Sequence, residues 1–428
     1  MSKSSNPGLP LAGIRILDLG RIVAAPFATQ MLGDMGAEII KIERPGEGDD
    51  SRNYGPSFLD TEEGETYSGF YLSFNRNKRS VAVDISTPGG QQVIRDLARE
   101  CDVLIENFKV GDLARKGLSY ADIEAVNPRI VYCSITGFGQ TGPYAPYPAV
   151  DMVFQSMSGL MSVTGEAERA PQKVGLSVAD INCGLYSCVA ILAALRERDS
   201  SGRGQHIDMS LLDCLISTMS HRIMDYFISG DVPFRFGNVS PGSTPAQLFK
   251  CSDGMINVQA GTDNQFRKLC ELLGRVDLLA DPRFTRGRQR NENRAALLPI
   301  IEPVFLSGTV AHWYQKLVSG GVICSPVYDV SQTFNDPQVA ARGMKMAMEK
   351  DAVGRIDALR NPIRFSRTQI ERYAFPPRVG EHTEEVLASV LGLSAGQIAQ
   401  LDEAGVVRQA KFQKTASASS QAVPDQAT

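Results

Sequence analysis

The N-terminal third of the chain alternates between short β-branched runs and segments with helical spacing, and this alternation restricts the fold more than any other feature. Residues 14–20 (IRILDLG) and 38–43 (EIIKIE) predict strands, and residues 26–36, which begin with Pro and end with Gly, predict the helix between them. The same order recurs over residues 80–107, and residues 130–135 predict a further strand. This alternation indicates an α/β fold, with a parallel sheet covered by helices on both faces.

A change in sequence character after the last of these strands predicts a second domain. Long segments rich in small residues, such as residues 180–196, first predict further helices. The chain then becomes loop-rich with short strand and helix patterns, which indicates a smaller α+β domain at residues 226–315. We therefore expect a large domain that begins with residues 9–225, a linker and a return to it over residues 316–411, and a disordered tail at 412–428.

Charge, cysteine and hydropathy patterns exclude several classes of protein. The 428 residues include 44 Lys and Arg against 48 Asp and Glu, a net charge of −4, which excludes a strongly basic nucleic-acid-binding surface. The eight cysteines form no CxxC pair and the four histidines lie far apart, so no metal site is predicted. No uninterrupted run of roughly 18 apolar residues and no N-terminal apolar signal segment occur, so we expect a cytoplasmic protein that contacts no membrane.

Basic residues recur near the expected strand ends and predict a phosphate-binding site. We place three groups at strand ends: Lys41 with Arg44, the segment Asn77-Lys78-Arg79, and Lys109 with Arg115. In an open parallel sheet, ligands bind beyond the carboxyl ends of the strands, where these side chains would meet. Each residue alone is also explained as a solvated surface charge, but the recurrence favours an anionic ligand.

Two aspartates, Asp151 and Asp180, open apolar helices, and each permits two interpretations. Asp is a frequent N-cap residue, which is the simpler explanation of both positions. The residues around Asp180 (VADINCGLY) are small and leave room for a ligand to approach its carboxylate. A carboxylate in that place could act as a nucleophile or a base, with helix-terminal amides nearby to stabilise negative charge. The local sequence leaves both interpretations open.

Six stretches of the chain carry a resemblance to one family. The longest is PLAGIRILDLGRIVAAPFATQMLGDMGAEIIKIERPGEGDDSR, and the others are NRNKRSVAVD, VLIENFKVGDLARKGL, VYCSITGFGQTGP, DMVFQSMSGLMSVTG and GEHTEEVL. Together they resemble class III CoA-transferases, of the formyl-CoA transferase and carnitine-CoA transferase type, over about residues 9–407. The resemblance implies a Rossmann-like large domain, a smaller domain, and a homodimer of two interlocked ring-like subunits.

The resemblance also implies substrates and site residues. The substrates would be coenzyme A as an acyl-CoA thioester and a small carboxylic acid, with no tightly bound cofactor and no metal. Asp180 falls on the family's covalent aspartate, and Asp151 falls on an acidic position of the CoA site. The family's CoA-contacting positions fall on Val23, Ala24, Arg44, Asn77, Lys78, Arg79, Asn107, Phe108 and Arg115.

Two departures from formyl-CoA transferases bear on the acyl group. Val23 stands where that subgroup has Gln, and residues 238–243 (NVSPGS) replace its Gly-rich lid. Formate is therefore disfavoured as the acyl group. We expect an enzyme that moves CoA from an acyl-CoA to a dicarboxylic acid through a covalent aspartyl intermediate.

Three other functions fit parts of the sequence. An α-methylacyl-CoA racemase of the same superfamily would have a His before Asp151, where this chain has Val150. An inactive CoA-binding subunit would not need the carboxylate of Asp180. A dinucleotide-dependent enzyme is disfavoured because the glycine pattern at residues 137–142 (GFGQTG) is followed by Pro143 and not by an apolar helix.

Overall fold

The computed structural model describes residues 8–61, 64–148, 150–351 and 353–409. The tail predicted at 412–428 lies outside the described residues. The strands are β1 Arg15–Asp18, β2 Glu38–Glu43, β3 Phe58–Asp60, β4 Thr66–Ser68, β5 Lys78–Val83, β6 Val103–Glu106, β7 Val131–Thr136, β8 His206–Ser210, β9 Ala246–Lys250, β10 Met255–Gln259, β11 Ile323–Pro326, β12 Lys345–Lys350, β13 Gly354–Leu359 and β14 Val407–Arg408. The helices are α1 Ala24–Asp34, α2 Gly69–Phe74, α3 Pro88–Arg99, α4 Tyr120–Glu124, α5 Asp151–Met157, α6 Val178–Ser201, α7 Leu211–Thr218, α8 Ser220–Ser229, α9 Asp263–Leu273, α10 Gly287–Glu292, α11 Arg294–Leu306, α12 Val310–Ser319, α13 Val330–Asn335, α14 Pro337–Ala341, α15 Thr383–Leu391 and α16 Ala395–Glu403.

A seven-stranded sheet forms the centre of the fold. Its strand order is β14-β5-β2-β1-β6-β7-β8, and all its strands except β14 are mutually parallel. β14 pairs antiparallel with β5 and brings the C-terminal part of the described chain back to the sheet. The predicted α/β fold with a parallel-rich sheet is confirmed.

Two hydrophobic cores cover the two faces of this sheet. Side chains alternate along each strand, so Ile16 of β1 belongs to the core under α1, α6 and α7, and Leu17 belongs to the core under α3, α15 and α16. Both side chains are fully buried. Burial on both faces accounts for the nearly continuous apolar runs that predicted these strands.

The longest helix of the described residues, α6, connects this core to the candidate site. By length and hydropathy alone it would be able to cross a membrane. It packs against α1, α7 and β7, however, and Ala179, Cys183, Cys188 and Ile191 are buried in the core there. One face of α6 therefore belongs to the core, and the first turn of the helix, which carries Asp180, lies beside the carboxyl ends of the strands.

A smaller unit forms around the three-stranded antiparallel sheet β9-β10-β11. Its core contains Phe266 of α9, Phe305 of α11 and Trp313 of α12. The unit extends past the limit predicted at residue 315, because β11 pairs with β10 as far as Pro326. The chain then forms the β12–β13 hairpin before α15, α16 and β14 return to the large sheet.

Candidate active site

The turn after β1 has a strained backbone at the carboxyl edge of the sheet. Ile22 adopts a φ of 69°, in which a β-branched side chain is crowded. Such strain persists only where neighbouring groups fix the chain. Here the Ile22 amide donates to the carboxylate of Asp49 (3.2 Å), and the Gly20 amide donates to Asp18 (2.8 Å). These bonds hold the turn in one conformation.

A buried ion pair beneath this turn contradicts the phosphate contact predicted for Lys41. Lys41 Nζ lies 2.8 Å from Asp49 Oδ2 and 2.8 Å from the carbonyl oxygen of Gly20, and both charged side chains are fully buried. Burial lowers the pKa of Lys41, but the nearby carboxylates, first that of Asp49, outweigh burial and raise the pKa. Burial likewise raises the pKa of Asp49, but Lys41 holds it well below its usual range. Lys41 therefore supports the turn from inside.

The strand-end position predicted for Asn77, Lys78 and Arg79 is wrong. β5 begins at Lys78, so these residues lie at the amino-terminal edge of the sheet, opposite the carboxyl ends where CoA is expected. Lys78 is fully buried, and burial lowers its pKa to about 8. All three side chains bind groups within the chain: Lys78 binds Asp18 and the Pro26 carbonyl, the two terminal nitrogens of Arg79 bind Glu38 and Glu385, and Asn77 binds Asp34.

A cavity of about 190 Å³ lies at the carboxyl ends of β1, β2 and β5. Arg44, one of the predicted CoA contacts, lines it, whereas Arg115 is largely exposed and pairs with Asp112. The residue after Arg115, Lys116, lines the cavity in its place. The sequence analysis did not assign the segment Asp84-Ile85-Ser86, which follows β5 and also lines the cavity, to the site. Its position directly after a strand end was the feature that could have indicated it. The lining residues are Leu19, Arg21, Ile42, Glu43, Arg44, Gly48, Asp49, Val83, Asp84, Ile85, Ser86, Phe108 and Lys116.

A second cavity, of about 490 Å³, adjoins the first. Arg21 and Phe108 line both cavities, and the Arg21 guanidinium lies 4.7 Å from the centre of the Phe108 ring. The cavity brings together six of the predicted site residues: Val23, Ala24, Asn107, Phe108, Asp151 and Asp180. Its lining also includes residues that sequence reasoning did not assign to a site, Tyr54, Phe70, Tyr147, Phe154, Ser177 and Leu211.

The carboxylate of Asp180 lines this cavity without a hydrogen-bond donor from the described residues and with a raised pKa. Asp180 lies in the first turn of α6, and its carboxylate accepts no hydrogen bond from the described residues. Burial, together with the negative charge of Asp151, raises the pKa of Asp180 to about 7. A carboxyl group with a pKa near neutrality beside a ligand-sized cavity is a candidate for covalent or acid–base chemistry.

Asp151 does not cap its own helix but binds the start of α6. Its Oδ1 accepts a hydrogen bond from the Ala179 amide (2.8 Å), and its Oδ2 accepts one from Gln155 Nε2 (2.6 Å). Gln155 is fully buried and its Oε1 accepts a hydrogen bond from the Val174 amide (2.8 Å). Asp151 thus accepts from the first turn of α6 and not from that of its own helix, α5. The spacing of residues in the sequence could not indicate this contact.

The arrangement fits an extended, anionic ligand and does not resemble a metal centre. Within the described residues, no group of three or more His, Cys, Asp and Glu side chains is placed to hold a metal ion. Arg21, Arg44 and Lys116 line the first cavity together with the carboxylates of Glu43, Asp49 and Asp84, and Lys109 lines the second cavity. Arg44 also pairs with Glu47 and Asp50, and Arg21 pairs with Asp50. A ligand with phosphates at one end and an electrophile at the other would place the electrophile beside Asp180.

Comparison with known proteins identifies the family. Residues 11–383 match the model of CoA-transferase family III. The chain is 42% identical to the succinate–glutarate CoA-transferase of Agrobacterium fabrum, over 91% of this chain and 98% of that protein. It is 40% identical to the human succinyl-CoA:glutarate CoA-transferase, over 94% of this chain and 90% of that protein. A crystal structure of a CAIB/BAIF family protein from Brucella suis superposes with a TM-score of 0.82 at 42% identity, over 90% of this chain and 100% of that chain.

A match over most of the chain, together with relatives at this level of identity, establishes the resemblance seen in the sequence motifs. The chain belongs to CoA-transferase family III and is a CoA-transferase.

Proposed function

We propose that this enzyme moves CoA from succinyl-CoA, or a similar acyl-CoA, to a free dicarboxylic acid such as glutarate, with Asp180 as the covalent nucleophile. The observation that carries the proposal is the carboxylate of Asp180, free of hydrogen bonds from the described residues, in a cavity that adjoins the carboxyl edge of the sheet. The names of the relatives, which act on succinate, succinyl-CoA and glutarate, support the substrate class.

The mechanism has four balanced steps, and no metal or external energy source takes part. Asp180 attacks the thioester carbonyl, and the CoA thiolate leaves as a mixed anhydride forms. The thiolate then attacks the aspartyl carbonyl, which releases the donor acid as a carboxylate and leaves an aspartyl-CoA thioester. The acceptor carboxylate attacks that carbonyl and releases thiolate again. The thiolate finally attacks the acyl carbonyl of the new anhydride, which forms the product thioester and restores Asp180.

The two adjoining cavities suggest how CoA would lie. The adenine and phosphates would occupy the first cavity, between the segment Val83–Ser86 and the cations Arg44 and Lys116. The pantetheine arm would pass Phe108 and Arg21 into the second cavity. We retain Val23, Ala24, Arg44, Asn107 and Phe108 as proposed CoA contacts, keep Asp151 in the site beside Asp180 without a CoA contact, and remove Asn77, Lys78, Arg79 and Arg115 from the site.

Exposed apolar side chains support the proposal of an interlocked homodimer. Val189 of α6 is 65% exposed, Ile228 of α8 is 80% exposed and Val232 is 78% exposed. Large exposed apolar side chains that lie together on a soluble protein usually mark a site of association. We propose that a second copy covers them, that no membrane does so, and that the enzyme is cytoplasmic.

The proposed domains follow the predicted limits, with the smaller one extended to Pro326.

The alternatives have less support. A racemase needs a base placed to remove an α-proton, but Val150 precedes Asp151 and no histidine lines the second cavity among the described residues. A CoA-binding subunit without activity would have no use for an Asp180 carboxylate with a raised pKa.

The test compares Asp180→Asn with the wild type in the transfer of CoA from succinyl-CoA to glutarate. We expect the rate to fall by at least about a thousandfold, while the dissociation constant for CoA stays within about threefold of wild type, because the first cavity is unchanged. Asp213→Asn is the matched control, since Asp213 also lies in the first turn of a helix, α7, but is exposed. An Asp180→Asn enzyme that keeps more than about a thousandth of the rate contradicts the proposal.

A further inference from the structure

One sequence pattern occurs at the start of two helices but gives two different structures. Ser119-Tyr-Ala-Asp122 precedes α4, and Ser177-Val-Ala-Asp180 precedes α6. At α4 the pattern forms a capping box, in which the Ser119 amide donates to Asp122 Oδ2 at 2.9 Å. At α6 no side-chain cap hydrogen bond is present. The carboxylate that the box would use at α6 belongs to Asp180.

The backbone of Ser177 accounts for the difference. Ser119 is extended, with a ψ of 168°, as a capping residue should be. Ser177 instead has a φ of −75° and a ψ of 68°, and the Val178 amide donates to the Leu176 carbonyl oxygen at 2.8 Å. Those angles and that bond define an inverse γ-turn. Because Ser177 is not extended, it does not make the N-cap hydrogen bond.

Two side chains of α5 hold this γ-turn from both ends. Gln155 Nε2 donates to the Leu176 carbonyl oxygen (3.2 Å), before the turn, and Asp151 Oδ1 accepts from the Ala179 amide (2.8 Å), after it. The bond between Gln155 and Asp151 couples the two contacts (2.6 Å). Asp151 therefore accepts the hydrogen bond of an amide in the first turn of α6 that the capping box of Ser177 and Asp180 does not supply with an acceptor.

We propose that Asp151 and Gln155 are positioning residues that keep the start of α6 in the γ-turn and thereby keep Asp180 out of the capping box. This inference rests on the proposed function, in which Asp180 is the nucleophile. A carboxylate engaged in the box would accept a hydrogen bond from the Ser177 amide and would turn back along its own helix. The γ-turn leaves it directed into the cavity that it lines.

The test measures how the effect of Asp151→Ala depends on residue 177. Ser177→Pro removes the amide hydrogen that Asp180 would bind in the box, and the φ of −75° at this position lies in the range of proline. With Ser177 present, we expect Asp151→Ala to lower kcat about 5- to 30-fold, the range set by the strength of helix caps, with little change in KM for succinyl-CoA. In the Ser177→Pro background we expect Asp151→Ala to lower kcat less than about threefold.

The outcomes separate the inference from the proposed function. Equal losses of kcat for Asp151→Ala in the two backgrounds, with an inactive Asp180→Asn enzyme, overturn the inference alone. Transfer at the wild-type rate by Asp180→Asn overturns the proposed function and the inference with it. If thermal melting shows that Asp151→Ala does not fold, Gln155→Leu is measured in the same two backgrounds, and the same dependence on residue 177 is expected. A purely structural role of α5 would lower the melting temperature without that dependence.

Discussion

The buried pair of Lys41 and Asp49 allows a quantitative test of what holds the turn after β1. The two charges lie 2.8 Å apart, and both side chains are fully buried. At an effective dielectric constant of about 20, a separation of 2.8 Å corresponds to an attraction of about 6 kcal/mol, which the desolvation of both ions partly offsets. Lys41→Met keeps the aliphatic chain but leaves Asp49 charged, buried and without its cation. We expect it to lower the free energy of unfolding by about 3–5 kcal/mol.

The double mutant gives the sharper measurement. Asp49→Asn alone leaves Lys41 charged and buried, and we expect a similar loss of about 3–5 kcal/mol. Lys41→Met with Asp49→Asn should cost no more than about 1 kcal/mol beyond either single change, because neither charge is then left unpaired. Urea unfolding followed by circular dichroism measures all three variants. Both single variants should also bind CoA more weakly, because the Gly20 carbonyl and the Ile22 amide each bind this pair.

A matched control comes from the surface of the same chain. Lys345 and Asp357 pair at 2.6 Å across the β12–β13 hairpin, with side chains 56% and 60% exposed. Lys345→Met should cost less than about 1 kcal/mol, and that cost should fall as salt is added. The cost of Lys41→Met should not depend on salt. Additive losses in the double mutant, or a Lys41→Met variant as stable as the control, refute the idea that the pair fixes the turn.

Three further predictions follow from the site. Ile22→Gly should be more stable than Ile22→Ala by about 1 kcal/mol in urea unfolding, the reverse of the usual order, because only glycine adopts a φ of 69° without strain. If the alanine variant is the more stable of the two, the backbone at position 22 is not strained. Glu106 is buried, its Oε2 accepts from the Phe108 amide, and burial raises its pKa to about 7, so the stability it contributes at acid pH is lost as pH rises towards and through 7. Glu106→Gln should therefore raise the melting temperature at pH 8 and leave it nearly unchanged at pH 4. Because the pKa of Asp180 is about 7 and only its carboxylate attacks, kcat/KM should rise with pH through about 7 and level off above it; a flat profile between pH 6 and 8 argues against this assignment.

The sequence predicts the sheet well because the apolar runs of parallel strands reflect burial on both faces. β2 coincides with the predicted strand at 38–43, and β7 lies within one residue of the strand predicted at 130–135. The start of β5 was placed two residues late, but Asn77, Lys78 and Arg79 lie at or before the beginning of β5 with either start, so placing them at a carboxyl end was a separate error. A basic residue looks the same in sequence whether it points to solvent, to a ligand or to a buried carboxylate.

The candidate site shows the same limit. Small neighbours and a helix start made Asp180 a candidate, but they left its N-cap interpretation open, and only the family resemblance selected it as the nucleophile. The contacts that control it are not local, since Asp151 reaches α6 across 28 positions of the sequence. The capping pattern at Ser177 predicts a structure that does not form, because hydrogen bonds from another helix override a local preference.

Direct detection of the intermediate tests the central claim most simply. The wild-type enzyme is mixed with succinyl-CoA without an acceptor acid, treated with hydroxylamine, digested, and analysed by mass spectrometry. Attack of hydroxylamine on an aspartyl thioester or anhydride should convert the side chain at position 180 into a hydroxamate, and Asp180→Asn should show none. An active enzyme whose position 180 stays unmodified under these conditions contradicts covalent catalysis by this residue.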